Sequence, residues 1–159
     1  MAASVVRFES RTVVRRPARE VFERLADLPA YRQWMHRDGL FRRCESVSEL
    51  PVREGTTYLD LTRMGRFEGR VVELVPPTRI AFSETLSWFG VALTRAEPAY
   101  VLEEDGDETV VHHTAVGELY GVMRLFRPAA RWMADRERDR TLASLKRSLE
   151  QAPTTGSGA

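Results

Sequence analysis

Four residues able to move a proton or polarise an oxygen stand on strand-like stretches: Arg70, Glu84, Tyr100 and His113. Glu84 is the odd one, an acid on the same side of an alternating run as Ile80, Phe82 and Leu86. Arg70 falls, by alternation about a two-residue turn at Gly65-Arg66, with Leu59, Leu61, Val72 and Leu74, and those aliphatic members predict that the face points inward. His112 and His113 are strand neighbours and face opposite ways, so they cannot form an ordinary joint metal site, and the phase favours His113 for the interior. An acid, a candidate base, a phenol and a guanidinium suffice for general acid–base chemistry on a carbonyl compound. His113 and Glu84 would transfer protons while Arg70 and Tyr100 polarise oxygens. The plain alternatives are a structural Arg70–Glu84 ion pair, a histidine satisfied within the core and a tyrosine that only lines it.

A second group is apolar. Trp88 and Phe89 flank Gly90 in SWFGVALT, and two aromatics on a glycine-hinged loop suggest either a gate over something or an interface contact. Trp34 and Tyr31 lie on a short helical stretch, where packing and ligand contact are both open, and His36 and Asp38 follow it on a loop. Phe126, Met133 and Glu137 fall on or near the inward stripe of the last long run.

Other chemistries lack their signatures. The chain shows no glycine-rich phosphate loop, no Cys/His spacing for zinc and no nucleophile elbow, so neither a metal nor a cofactor is expected. A formal charge of +1 over 159 residues gives no strong field toward nucleic acid, and the basic run near the end alternates with acids as a solvated helix face does. One cysteine, Cys44, cannot form an internal disulfide, which makes a reducing cytoplasm the default expectation. No stretch has the length of a membrane span, so no membrane insertion is expected.

The elements that must position these residues follow from periodicity. Val5 to Arg15 alternates as a half-buried strand with Val6, Phe8, Ser10, Thr12 and Val14 on one face. Pro17 opens a short helix carrying Val21, Phe22 and Leu25, and Ala30 to Met35 makes a second. Strands are predicted at Leu40–Leu50, Tyr58–Met64, a fourth run closed by Pro76-Pro77, Arg79–Leu86, Ala96–Glu103 and Thr109–Glu118. Leu119 to Gln151 reads as one long amphipathic helix that Pro128 kinks or restarts. With 43% hydrophobic residues the chain suits a single domain, residues 5–151, between flexible termini 1–4 and 152–159.

The order strand, two small helices, six antiparallel strands and long C-terminal helix resembles the START-like, or SRPBCC, superfamily, in particular the bacterial polyketide cyclase/dehydrase type. The residues that carry the resemblance are the first strand running into Arg16-Pro17-Ala18-Arg19-Glu20-Val21-Phe22, then Tyr31-Arg32-Gln33-Trp34, Val72-Glu73-Leu74-Val75-Pro76-Pro77, and Gly106 to Val111. The resemblance implies an α+β helix-grip fold: a curved seven-stranded antiparallel sheet wrapped around the C-terminal helix, with a deep, mostly apolar cavity between them. Its sheet order would set the strands of Arg70, Glu84, Tyr100 and His113 side by side, with Trp34, Trp88, Phe89, Phe126 and Met133 as further ligand contacts. It implies a small hydrophobic ligand, lipid- or polyketide-like, but no reaction. Two functions stand on these residues: a binding protein without catalysis, and a polyketide cyclase, aromatase or dehydratase using the same cavity. Oligomeric state is open. Along the last helix, Leu145 and Leu149 are expected as core, Phe126 and Met133 as cavity wall.

Overall fold

The computed structural model describes residues 3–153. Seven antiparallel strands form one sheet: β1 (Ser4–Val14), β2 (Phe41–Glu45), β3 (Thr57–Thr62), β4 (Gly65–Val75), β5 (Arg79–Trp88), β6 (Val91–Asp105) and β7 (Glu108–Leu119). Their order is β1-β7-β6-β5-β4-β3-β2, so the first strand closes against the last and β2 forms the far edge. Two short helices, α1 (Ala18–Ala26) and α2 (Tyr31–Trp34), follow β1, and the long helix α3 (Arg127–Glu150) ends the fold. The sheet curves around this helix in the helix-grip arrangement.

Local chemistry explains each start and stop. Pro17 precedes α1 with φ −59°, and the side chain of Glu104 accepts the Ala18 N–H at 3.2 Å, supplying an acid at the helix N-terminus. The inner face of α1, Val21, Phe22 and Leu25, is buried in the same cluster as Val14, Ile80, Val111, Leu142, Leu145 and Leu149. The cluster joins α1 and the C-terminal half of α3 to the sheet, and its members Tyr58, Phe82 and Tyr100 continue it to the cavity wall.

The last helix begins later than its hydrophobic pattern suggests. Leu119 ends β7, residues Gly121–Phe126 form a 3-10 segment with no buried side chain, and Pro128 lies in the first turn of α3. Proline is well placed there, because the N–H it lacks has no intrahelical acceptor in a first turn. It therefore starts the helix instead of kinking it.

The β3–β4 hairpin departs most from expectation. Thr62 pairs with Gly65, so the turn residues are Arg63 and Met64. The Thr62 hydroxyl closes it, accepting the Met64 N–H at 3.1 Å and donating to the Gly65 carbonyl at 2.9 Å, and Gly65 takes φ +136°. The pairing is displaced by two residues on each strand from the expected one, an even slip, so each face keeps its members. The face containing Leu59, Leu61, Glu68 and Arg70 nevertheless points outward, while Tyr58, Asp60, Phe67 and Val71 point in. A bulge between Val71 and Glu73 reverses the phase, leaving Val72 exposed and turning Leu74 back to the core.

At the ends of the domain, Ser4 already belongs to β1, and the carbonyl of Ala152 accepts a 2.7 Å hydrogen bond from Arg16. The rest of the expected flexible termini, residues 1–2 and 154–159, lies outside the described residues. No described helix is long and apolar enough to cross a membrane.

Candidate functional site

Between the concave face of the sheet and the N-terminal half of α3 lies a cavity of about 280 Å³. Its walls are apolar for the most part, with Phe8, Met35, Phe67, Phe82, Leu86 and Met133 among them. Thr94, Arg95, Glu118, Arg131 and Glu137 also border it, and the more deeply buried polar groups gather in two places.

One is an acidic cluster on β2 to β5. Tyr58, Gly69 and Glu84 are successive cross-strand partners on β3, β4 and β5. A Cβ at Gly69 would run into the Tyr58 ring, so the glycine clears a path across β4 that lets Tyr58 donate from its hydroxyl to Glu84 Oε1 at 2.9 Å. Asp60, two residues along β3, lies opposite Cys44 of β2 and also faces the cavity. Burial, and after it the nearby charge of Glu84, raises Asp60 to about 8, while a hydrogen bond with Cys44 pulls it partly back. Burial raises Glu84 as well, against the opposing effects of the Tyr58 hydroxyl and of Arg138. Asp60 thus keeps its proton well above the ordinary carboxylate range, and Glu84 is shifted in the same direction.

The other place joins β7 to α3. His113 is 1% exposed and stacks on its cross-strand partner Tyr100, with ring centroids 4.1 Å apart and planes 11° from parallel. Its Nδ1 lies 3.0 Å from the Ala99 carbonyl, and its Nε2 lies 2.8 Å from Nη1 of Arg138. A carbonyl can only accept and a guanidinium can only donate, so the ring carries its proton on Nδ1 and accepts at Nε2. Burial, then the charge of Arg138, lowers His113 to about 3, against the Ala99 hydrogen bond. It is neutral at ordinary pH, and both ring nitrogens are in use.

Glu84, Tyr100, His113 and Met133, singled out from the sequence, all line this cavity. Arg70 does not. It stands on the outer face, exposed and paired with Ser83 across the strands, so the alternative of a structural Arg70–Glu84 ion pair is ruled out; the Tyr58 hydroxyl bonds Glu84 instead, and the charge of Arg138 acts on it. Trp34 is buried in the core, edge-on to Tyr31 with ring centroids 5.0 Å apart; Tyr31 and Met35 reach the cavity and Trp34 does not. Trp88 and Phe89, 67% and 90% exposed, form the tip of the β5–β6 hairpin outside the cavity wall, because β5 and β6 run on to the very end of the turn. Phe126 is 58% exposed at the end of the 3-10 segment that precedes α3, and it contributes nothing to the wall. On the loop after α2, Asp38 is exposed, and His36 approaches Glu137 of α3 at 3.6 Å.

Tyr58, Asp60 and Arg138 escaped the sequence reading. The first two lie on the strand face taken for the outside. Arg138 had a legible signal, because Ala130, Met133, Ala134, Glu137, Arg138 and Thr141 follow one another at helical spacing and all line the cavity.

The chain matches the family model described as polyketide cyclase/dehydrase and lipid transport over residues 5–150. No curated protein sequence matches it. Among solved structures, the Zhui aromatase/cyclase from a Streptomyces species is similar at TM-score 0.78 and 15% identity, covering 98% of this chain and 100% of that one. A START superfamily protein from Mycobacterium smegmatis is similar at TM-score 0.69 and 14% identity, covering 94% and 99%. The di-domain ARO/CYC BexL is similar at TM-score 0.73 and 15% identity, over 94% of this chain and 51% of its own. At these identities the structures speak for the fold alone, but the family model spans nearly every element that builds the cavity, and the chain belongs to the polyketide cyclase/dehydrase and lipid transport family.

Proposed function

We propose that the protein binds a small, largely apolar molecule, lipid- or polyketide-like, in the cavity between the sheet and α3. The observation that carries this reading is the cavity itself. Its walls are apolar, and its buried polar groups converge in two clusters, the arrangement by which binding sites take up an apolar body and fix its polar end. At about 280 Å³ it lies at the small end of ligand sites, which favours a compact molecule. Extraction and native mass spectrometry of freshly purified protein test the proposal. The expected result is a bound small molecule that is lost when Met133→Trp fills the cavity. A protein that emerges empty and takes up no apolar probe would refute it.

One observation favours a second reading, a polyketide cyclase, aromatase or dehydratase. Asp60 and Glu84 both face the cavity, and burial raises both carboxyls, Asp60 to about 8, so a proton donor stands beside a second acid that can accept. In that reading the acids carry the proton chemistry, Tyr100 and Arg138 polarise oxygens, and His113, with no free nitrogen, positions Arg138 instead of acting as a base. Conversion of a polyketide substrate, abolished by Glu84→Gln with binding spared, would establish it. Binding without turnover leaves the carrier reading.

A further inference from the structure

Arg138 is a cation without a counter-ion. It lies on the cavity side of α3, half-buried, yet it makes no ion pair among the described residues; every salt bridge there involves other groups. Its neighbours are occupied elsewhere. Glu137 accepts the Leu40 N–H at 3.0 Å and faces His36, and Asp139 accepts from the Ser10 hydroxyl. The partner Arg138 does have is neutral, the Nε2 of His113 at 2.8 Å, and the ring of Phe8 lies 5.7 Å from its guanidinium carbon. Its Nε–H is buried and donates to no acceptor among the described residues. Buried cations are ordinarily paired, and an unpaired guanidinium donor is costly.

The surroundings fix the guanidinium without neutralising it. Ala99 orients His113, and His113 holds Arg138 by one nitrogen, leaving the remaining donors of a planar fork. The other groups that face it are Tyr100 on β6, Glu84 on β5 and, further off, Asp60 on β3. Both acids are driven toward their neutral forms by burial, so across the cavity they present a proton more readily than a like charge.

From this geometry we infer that the ligand is an amphipathic acid whose oxyanion, a carboxylate or an acidic phenol, docks on Arg138 while its apolar body fills the cavity. The inference rests on the cavity-binding reading and narrows it to a chemical class. His113 is a positioning residue in this scheme, since it meets the ligand only through Arg138.

The test is calorimetric titration with matched probes: a naphthoate, the corresponding naphthol, the uncharged methyl ester of the naphthoate, and decanoate against decanol. The acid is expected to bind the native protein roughly tenfold or more tighter than its ester, as one added charge-assisted contact implies. Arg138→Gln collapses that acid-to-ester ratio toward one, with a melting transition recorded to show that it folds. Arg138→Lys keeps part of the ratio, and so does His113→Gln, which still offers Arg138 an acceptor, whereas His113→Leu does not. Preference for decanoate over decanol identifies a fatty-acid carboxylate, and preference for naphthoate over both naphthol and the ester an aromatic acid; either supports the inference. Equal binding of acid and ester by the native protein, or an acid preference that survives Arg138→Gln, overturns it and leaves the cavity reading standing. Failure of every probe, esters and alcohols included, overturns both.

Discussion

The two halves of α3 are built differently. Toward its C-terminus, Leu142, Leu145 and Leu149 are buried in the main core, Ser144 donates to the Trp34 carbonyl at 2.8 Å and Lys146 to the Val13 carbonyl at 2.8 Å. Toward its N-terminus no side chain before Thr141 is buried; Ala130, Met133, Ala134, Glu137 and Arg138 border the cavity and Trp132 is 64% exposed. One continuous helix is therefore anchored at one end and a cavity wall at the other. A packed core excludes space because each side chain meets partners on every side. The N-terminal half lacks such partners on its inner face, and that is where a ligand has room.

The largest expected effect lies in the anchored half. Leu145 is wholly buried, and Leu145→Ala should cost about 2–5 kcal/mol, read as a drop in denaturation midpoint. Met133→Ala removes a similar volume but enlarges a space that already exists, and should cost no more than about 1 kcal/mol while shifting binding toward bulkier ligands. Equal losses for the two would mean that α3 is a plug along its whole length.

Much of this division was legible in the sequence, and the part that was not has a local cause. The alternation of β1, and the inward phase of Glu84, Tyr100 and His113, survive in the structure because those stretches of strand run without a bulge. On β4 the bulge after Val71 breaks the period, so Val72 and Leu74, counted together, made the wrong face look apolar. With that face turned, Arg70 was placed inside and Asp60 outside, each the reverse of the truth. The seam of α3 misled differently. Its period was right, but a charged residue on an inward stripe reads as solvated until a partner such as His113 is known to lie opposite. Phe126 was drawn into the stripe because the helical period was extended through a 3-10 segment, which turns its side chains at another pitch.

The sheet opposite the open half of α3 makes its own prediction, smaller than that for Leu145. Asp60 is raised from 3.8 to about 8, so from ordinary carboxylate pH upward the folded chain keeps a proton that the unfolded chain has released. Stability from this group is whole below that range and drains as pH climbs through 8. Asp60→Asn holds the neutral form at every pH, and its stability, read from thermal melts, should exceed that of the native protein at about pH 9 by at least on the order of 1 kcal/mol, with the gap closing as pH falls toward about 4. His113 acts on the other limb. Lowered to about 3, it withdraws stability as pH falls below 6.5, and Asp60→Asn should leave that acid limb in place. A flat difference between the two proteins across pH would place Asp60 in contact with water and remove it from the cavity wall.

The smallest effect is expected at the hairpin tip. Trp88 and Phe89 lie against each other with ring centroids 5.1 Å apart, on the far side of a turn from the cavity lining, and Phe89 takes φ +47°. Neither contributes to the core, so Trp88→Ala with Phe89→Ala should change stability by less than about 0.5 kcal/mol. If the cavity is closed by the wall described, the affinity of a bound probe should also stay level in the double variant. A faster dissociation rate with unaltered stability would show instead that the tip folds over the mouth when a ligand is present. The open half of α3 would then share its work with a hairpin whose tip lies outside the cavity lining.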